Sequence, residues 1–104
     1  MKDIEIRELF RSREEYAGKE IVVRGWVRGN RASNQFGFIS LNDGTFFTPL
    51  QVVYEASKID NYEEISKVHL AAGVMVKGVL ELTPGAQQPF ELKATEVTVE
   101  ADSL

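Results

Sequence analysis

A chain of 104 residues suffices for one domain around a single core and is too short for an elaborate enzyme. Cysteine is absent, which excludes disulfides, thiolate zinc sites and a Cys nucleophile, and one histidine cannot form a histidine metal site. A net charge of -4, from 12 basic and 16 acidic side chains, argues against binding driven by broad phosphate contact but not against reading a few unpaired bases. Met1-Lys2-Asp3-Ile4-Glu5 lacks the apolar stretch of a signal peptide, and no run reaches membrane-spanning length, so no membrane association and a cytoplasmic location are expected.

Ile6, Leu9 and Phe10 recur at helical spacing and predict a short amphipathic helix ending before Ala17-Gly18-Lys19, with Gly18 at its C′ position. From Glu20 the period becomes two. Ile21, Val23, Gly25 and Val27 share one face; Val22, Arg24, Trp26 and Arg28 share the other. Apolar residues on both faces, with Gly25 mid-strand, suggest a long first strand bent to serve two sides of a small barrel. Trp26 reads as core. Gly29 to Gln35 reads as polar loop. A second strand follows from Phe36, with Ile39 and Leu41 inward and Phe36, Phe38 and Ser40 outward, ending in a turn at Asn42-Asp43-Gly44-Thr45.

Pro49 lacks an N–H for a ladder, so the third strand begins at Leu50. Leu50, Val52 and Tyr54 face inward, with the Tyr54 hydroxyl reaching water, and Gln51 and Val53 face outward. Ser57 to Leu70 reads as a helix with a stripe of Ile59, Tyr62, Ile65, Val68 and Leu70, capped by Ser57 and closed by Gly73. The fourth strand is Val74 to Leu82, bent at Gly78. Residues 83–89 are loop. The fifth strand, Phe90 to Val99, turns Phe90, Leu92 and Ala94 inward and Glu91, Lys93 and Thr95 outward. The fold class is therefore all-β with little helix: a five-stranded OB-fold Greek-key barrel with an N-terminal helix and a helix between the third and fourth strands. Residues 1–19 form a helical segment packing on the barrel, 20–100 the OB-fold, and 101–104 the start of a linker.

On that barrel the outward residues converge: Arg28 from the first strand, Phe36 and Phe38 from the second, Gln51 from the third, Glu91 from the fifth. Aromatic rings standing out of a sheet are stacking platforms for bases, worth roughly 1–3 kcal/mol each. Gln donates and accepts; an ionised carboxylate only accepts. Together they favour a base presenting N3–H, uracil, and repel one presenting a bare N3, cytosine. Arg28 and Arg31 suit phosphates or stacking. The expected ligand is a short single-stranded RNA with a central uracil. Burial of Phe36 and Phe38 under the N-terminal helix or a partner domain is the rival reading. Between Val22 and Val53 lie three arginines and one acid, Asp43. No Walker loop, dinucleotide fingerprint, GxSxG or zinc spacing is present, so the domain alone should do no chemistry.

The run from Gly18 to Arg28, containing Gly25-Trp26-Val27, resembles the first strand of the anticodon-binding domain of class IIb aminoacyl-tRNA synthetases, the aspartyl, asparaginyl and lysyl group. Phe36-Gly37-Phe38-Ile39, Asp43-Gly44, Pro49-Leu50-Gln51-Val52 and Phe90-Glu91-Leu92 follow in the family's order. Asn42 to Val52 and Pro84-Gly85 followed by Gln87 to Glu91 look like the asparaginyl branch. The resemblance spans residues 5–100. It implies that Phe38 stacks on the middle anticodon base, a uracil, while Gln51 and Glu91 bond its edge with Arg28 nearby. It also implies loops at 31–35 and 83–89 near the flanking bases, and a separate C-terminal catalytic domain that uses ATP and Mg²⁺ in a homodimeric ligase. No cofactor is expected in this domain. A stand-alone single-strand binder, the equivalent aspartyl domain, and a protein-docking module are the other readings.

Overall fold

In the computed structural model, which describes residues 2–101, the five expected strands are β1 (Glu20–Ala32), β2 (Phe36–Asn42), β3 (Leu50–Glu55), β4 (Gly73–Leu82) and β5 (Phe90–Ala101). They close a barrel in the order β1-β2-β3-β5-β4. Every pairing is antiparallel except β3 with β5, which closes the barrel through only Val52↔Leu92 and Val53↔Lys93. Alternation puts Val23 and Val27, Ile39 and Leu41, Leu50, Val52 and Tyr54, Val74 and Val76, and Phe90 and Leu92 into one buried core.

β1 serves two neighbours. Its first half, to Trp26, pairs with β4, and its second half, from Trp26, pairs with β2. The bend falls where Gly25 meets the end of β2: a Cβ there would lie 2.3 Å from the Asn42 carbonyl oxygen, so any side chain would push the strands apart. The β1–β2 register then slips between Val27 and Gly29, leaving Arg28 as the extra residue of a bulge.

Short helices close the two ends of the barrel. At one end α1 (Ile6–Arg11) drives Ile6 and Leu9 into the core, and Phe10 stacks on Phe46 with centroids 4.5 Å apart. Asp43 fixes α1 from the β2–β3 connection, its Oδ2 accepting the Ile6 N–H at 2.9 Å. At the other end α3 (Tyr62–Ser66) buries Ile65. Asn30 links the layers: its Nδ2 donates to the Ile65 carbonyl at 2.8 Å, and its Oδ1 accepts the Tyr54 hydroxyl at 2.6 Å.

Several expectations are corrected. The N-terminal helix breaks at Ser12, and its last turn is a separate α2 (Arg13–Tyr16). Gly18 does stand at C′, after the C-cap Ala17, with the expected left-handed φ of 77°, and there the Lys19 N–H donates to the Tyr16 carbonyl to close a turn. The 57–70 helix shrinks to Tyr62–Ser66, with its N-cap at Asn61 rather than Ser57, and Gly73 belongs to β4. The stripe is only partly used: Ile59 and Ile65 are buried, but Leu70 is 60% exposed. Asn61 also gives its amide to the Val97 carbonyl at 2.9 Å, which pins this segment as a turn.

The supposed loop from Gly29 is strand as far as Ala32, held by Asn30↔Ile39, Arg31↔Phe38 and Ala32↔Gly37. From Asp43-Gly44 the chain runs on to Leu50, where the third strand begins as expected. Tyr54 is fully buried, with its hydroxyl on Asn30 rather than in water. Trp26 is 39% exposed, not core. Ala101 pairs with Gly73 in β5, so the expected linker loses its first residue, and Asp102 to Leu104 lie outside the described residues.

Candidate nucleic-acid interface

The outer face of β2 follows from its inner face. Gly37, Ile39 and Leu41 point into the core, so the two-residue period turns Phe36, Phe38 and Ser40 outward. Phe36 is 43% and Phe38 40% exposed, and neither lies beneath the N-terminal helices, which close one end of the barrel. Register places the surrounding groups. Phe38 has Arg31 on one side and Val53 on the other; Ser40 has Gly29 on one side and Gln51 on the other. Gln51 is thus diagonal to Phe38, at a spacing of about 7–8 Å that a base on the ring can span.

Gln51 and Glu91 are in contact across the parallel seam, with Gln51 Nε2 donating to Glu91 Oε2 at 3.3 Å. This bond orients both groups and leaves capacity unused. One amide N–H of Gln51 remains to donate, and the Gln51 carbonyl and Glu91 Oε1 remain to accept. That set complements a pyrimidine edge with one N–H flanked by carbonyl oxygens. A ring nitrogen bearing only a lone pair would face the carboxylate unfavourably.

Five of the six residues named from the sequence, Arg31, Phe38, Gln51, Glu91 and Phe36, occupy adjoining outward positions of four strands. Arg28 is exposed in the bulge beside Gly29, at the edge of this face. Arg28 and Arg31 have no ion-pair partner among the described residues. The third arginine of the region, Arg24, is spoken for: its guanidinium binds Asp3 and Glu100, and hydrogen bonds to those carboxylates, Asp3 first, raise its pKa further.

A family model described as an OB-fold nucleic acid binding domain matches residues 21–100. The chain belongs to that family.

This OB-fold domain is 50% identical over 103 residues to the asparagine–tRNA ligase of Alkaliphilus oremlandii and equally to that of Acetivibrio thermocellus. Each match covers 99% of the chain but only 22% of the ligase, so the chain spans about a fifth of the curated relatives' length. Among solved structures it superposes on asparaginyl-tRNA synthetase from Pyrococcus horikoshii, complexed with asparaginyl-adenylate, at a TM-score of 0.84. That match has 20% identity and covers 99% of this chain and 23% of the other, which establishes shared fold.

The OB-fold domain carries one exposed aromatic that the sequence reading put in the core. Trp26 precedes Arg28 on the outward row of β1, and its indole lies over the Asp43-Gly44 turn, with Cη2 3.4 Å from where a Gly44 Cβ would stand. The signal was present in the alternation, because Trp26 shares its face with Arg24 and Arg28. Among the described residues no group of three or more His, Cys, Asp or Glu side chains is placed to hold a metal ion, and no helix is long and apolar enough to cross a membrane.

Proposed function

We propose that this domain is the anticodon-binding part of an asparagine–tRNA ligase, and that Phe38, Gln51 and Glu91 read the central uracil of the anticodon. The observation that carries the reading is the Gln51–Glu91 hydrogen bond one diagonal step from the exposed Phe38 ring. Phe38 stacks on the base. The free N–H of Gln51 donates to a base carbonyl, and Glu91 accepts N3–H. Arg28 and Arg31 meet flanking phosphates, and Phe36 extends the platform. Two relatives 50% identical to the domain over 103 residues are asparagine–tRNA ligases, which favours the asparaginyl over the aspartyl assignment.

In this reading the remaining polypeptide of a cytoplasmic, homodimeric enzyme joins asparagine to its tRNA. ATP and Mg²⁺ are ligands of that catalytic body, not of the barrel. The test is a titration of the chain with short RNAs carrying U or C at the centre. The expected result is tighter binding of the U form, and Phe38→Ala should weaken it by about 1–3 kcal/mol. In the full ligase the same change should weaken tRNA binding while leaving asparagine activation intact. Equal affinity for U and C would replace this reading with that of a general single-strand binder.

A further inference from the structure

The reading of the central base leaves Trp26 unused. The residue is 39% exposed, and its indole rests on the Asp43-Gly44 turn, with Cη2 3.4 Å from where a Gly44 Cβ would stand. Its partner on β2 is Asn42, four residues beyond Phe38, which sets it about 13 Å along the strand from the stacking platform. On its other side Trp26 pairs with Gly73 of β4, and Gly73 pairs with Ala101 of β5. Asn42, Trp26, Gly73 and Ala101 thus form one row across four strands. The last residue of β5 lies two strand spacings, about 10 Å, from Trp26. Gly73 puts no side chain between them.

A second apolar group is held out to solvent on the turn before Gly73. Leu70 is 60% exposed, while Ala72 is buried. Between them Ala71 adopts a left-handed φ of 71°, a conformation that L side chains rarely take. Val27, the residue after Trp26, imposes it. The Ala71 N–H donates to the Val27 carbonyl at 2.7 Å, and the Val27 N–H donates to the Ala72 carbonyl at 2.9 Å. The turn is therefore pinned to β1 beside Trp26, strained, with its largest apolar side chain outward. Strain of this kind marks functional surfaces, and tryptophan is the residue most enriched at the centres of protein contacts.

The path of the polypeptide narrows the occupant. The matched asparagine–tRNA ligases are covered over only 22% of their length, so in the anticodon reading most of the polypeptide follows this barrel. The end of β5 is fixed, because Arg24 bonds Glu100 at 3.1 Å and Ala101 pairs with Gly73. At about 3.3–3.6 Å per residue, three residues span the distance from Ala101 back to Trp26. We propose that Trp26 and Leu70 form a docking shelf for the ligase polypeptide C-terminal to Leu104, which seats an apolar side chain against the indole. A domain joined to its neighbour by a single connection moves freely unless a contact holds it. The shelf supplies that contact and sets the angle at which the barrel presents β2 and β3. This rests on the anticodon reading, to which it adds the partner of a face that the base does not use.

The experiment is hydroxyl-radical footprinting, read by mass spectrometry, of this chain and of the full ligase without tRNA. In the chain, Trp26 and Leu70 should label readily, while protection of the buried Tyr54 shows that the barrel is folded. In the ligase, labelling of Trp26 and Leu70 should be lost, down to the level of Tyr54, and Phe36, 43% exposed, should label as before. Trp26→Ala in the ligase should restore labelling at Leu70, with asparagine activation retained as the sign of a folded enzyme. Full labelling of Trp26 in the unaltered ligase overturns the proposal. So does protection that appears only when tRNA is added, which would make the indole an RNA contact, and so does a Leu70 that stays covered in the active Trp26→Ala ligase. Adding tRNA should instead protect Phe38. If Phe38 does not respond while Trp26 is covered in the free ligase, the reading of the central base fails and the docking stands.

Discussion

Gly37 and Tyr54 lie opposite one another on β2 and β3, so close that a Cβ on Gly37 would fall 2.0 Å from Cζ of the tyrosine ring. The ring occupies the space where any other side chain at 37 would stand, and its hydroxyl continues to Asn30. The two exposed phenylalanines thus flank a residue whose size is set by the core beneath them. Gly37→Ala should destabilise the fold by about 1–3 kcal/mol through overpacking. Because the strand must rise, it should also weaken RNA binding. Thermal denaturation and an RNA titration at a temperature where the variant is folded separate the two effects.

Glu91 tests the base-edge chemistry with the shape held constant. Glu91→Gln keeps the volume but replaces an obligate acceptor with a group that can turn its amide to donate. Preference for U over C should fall by about tenfold, with overall RNA affinity reduced far less. Comparing dissociation constants for the two RNAs measures this directly.

Tyr54 makes stability sensitive to alkali. Burial, the largest cause, pushes its pKa from the usual 10.0 up to about 12. Below pH 10 both folded and unfolded chains keep the phenolic proton, and the contribution is fully present. Between about pH 10 and 12 the unfolded chain releases the proton while the folded chain retains it, so stability falls, by up to about 3 kcal/mol. Tyr54→Phe should be less stable at neutral pH, because Asn30 loses a partner, yet should show a shallower decline across that window. Urea unfolding as a function of pH resolves the slopes.

Asp43 holds the barrel's plug in place. Its carboxylate accepts the Ile6 N–H at 2.9 Å, the Thr45 N–H at 3.0 Å and the Thr45 hydroxyl at 2.6 Å. Asp43→Ala should cost about 1–2 kcal/mol, and Asp43→Asn, which keeps an acceptor, less than that. The uracil preference should be unchanged in both, since neither touches the outer face of β2 and β3.

The strands were legible in the residues because a two-residue period with one buried face leaves few alternatives. Phe36, Phe38, Gln51 and Glu91 could be placed outward from alternation alone. The polar residues Asn30 and Arg31 misled for a physical reason. Their ladder to β2 is made by backbone, and on a half-solvated hairpin polar side chains say little about pairing. The 57–70 segment misled differently, since Ile59, Tyr62, Ile65 and Val68 recur at a spacing a helix would use. What decides the matter is the Asn61 amide on Val97, a contact 36 residues distant. Likewise the partner of Tyr54 is Asn30, 24 residues earlier, which no local pattern reveals.

Arg24 grips Asp3 ahead of the barrel and Glu100 near the end of its last strand, reaching over β4 to do so. Residues almost a hundred positions apart are therefore tethered at one point on the surface. A tug transmitted through both would strain this clamp and the staves β1, β4 and β5 beneath it.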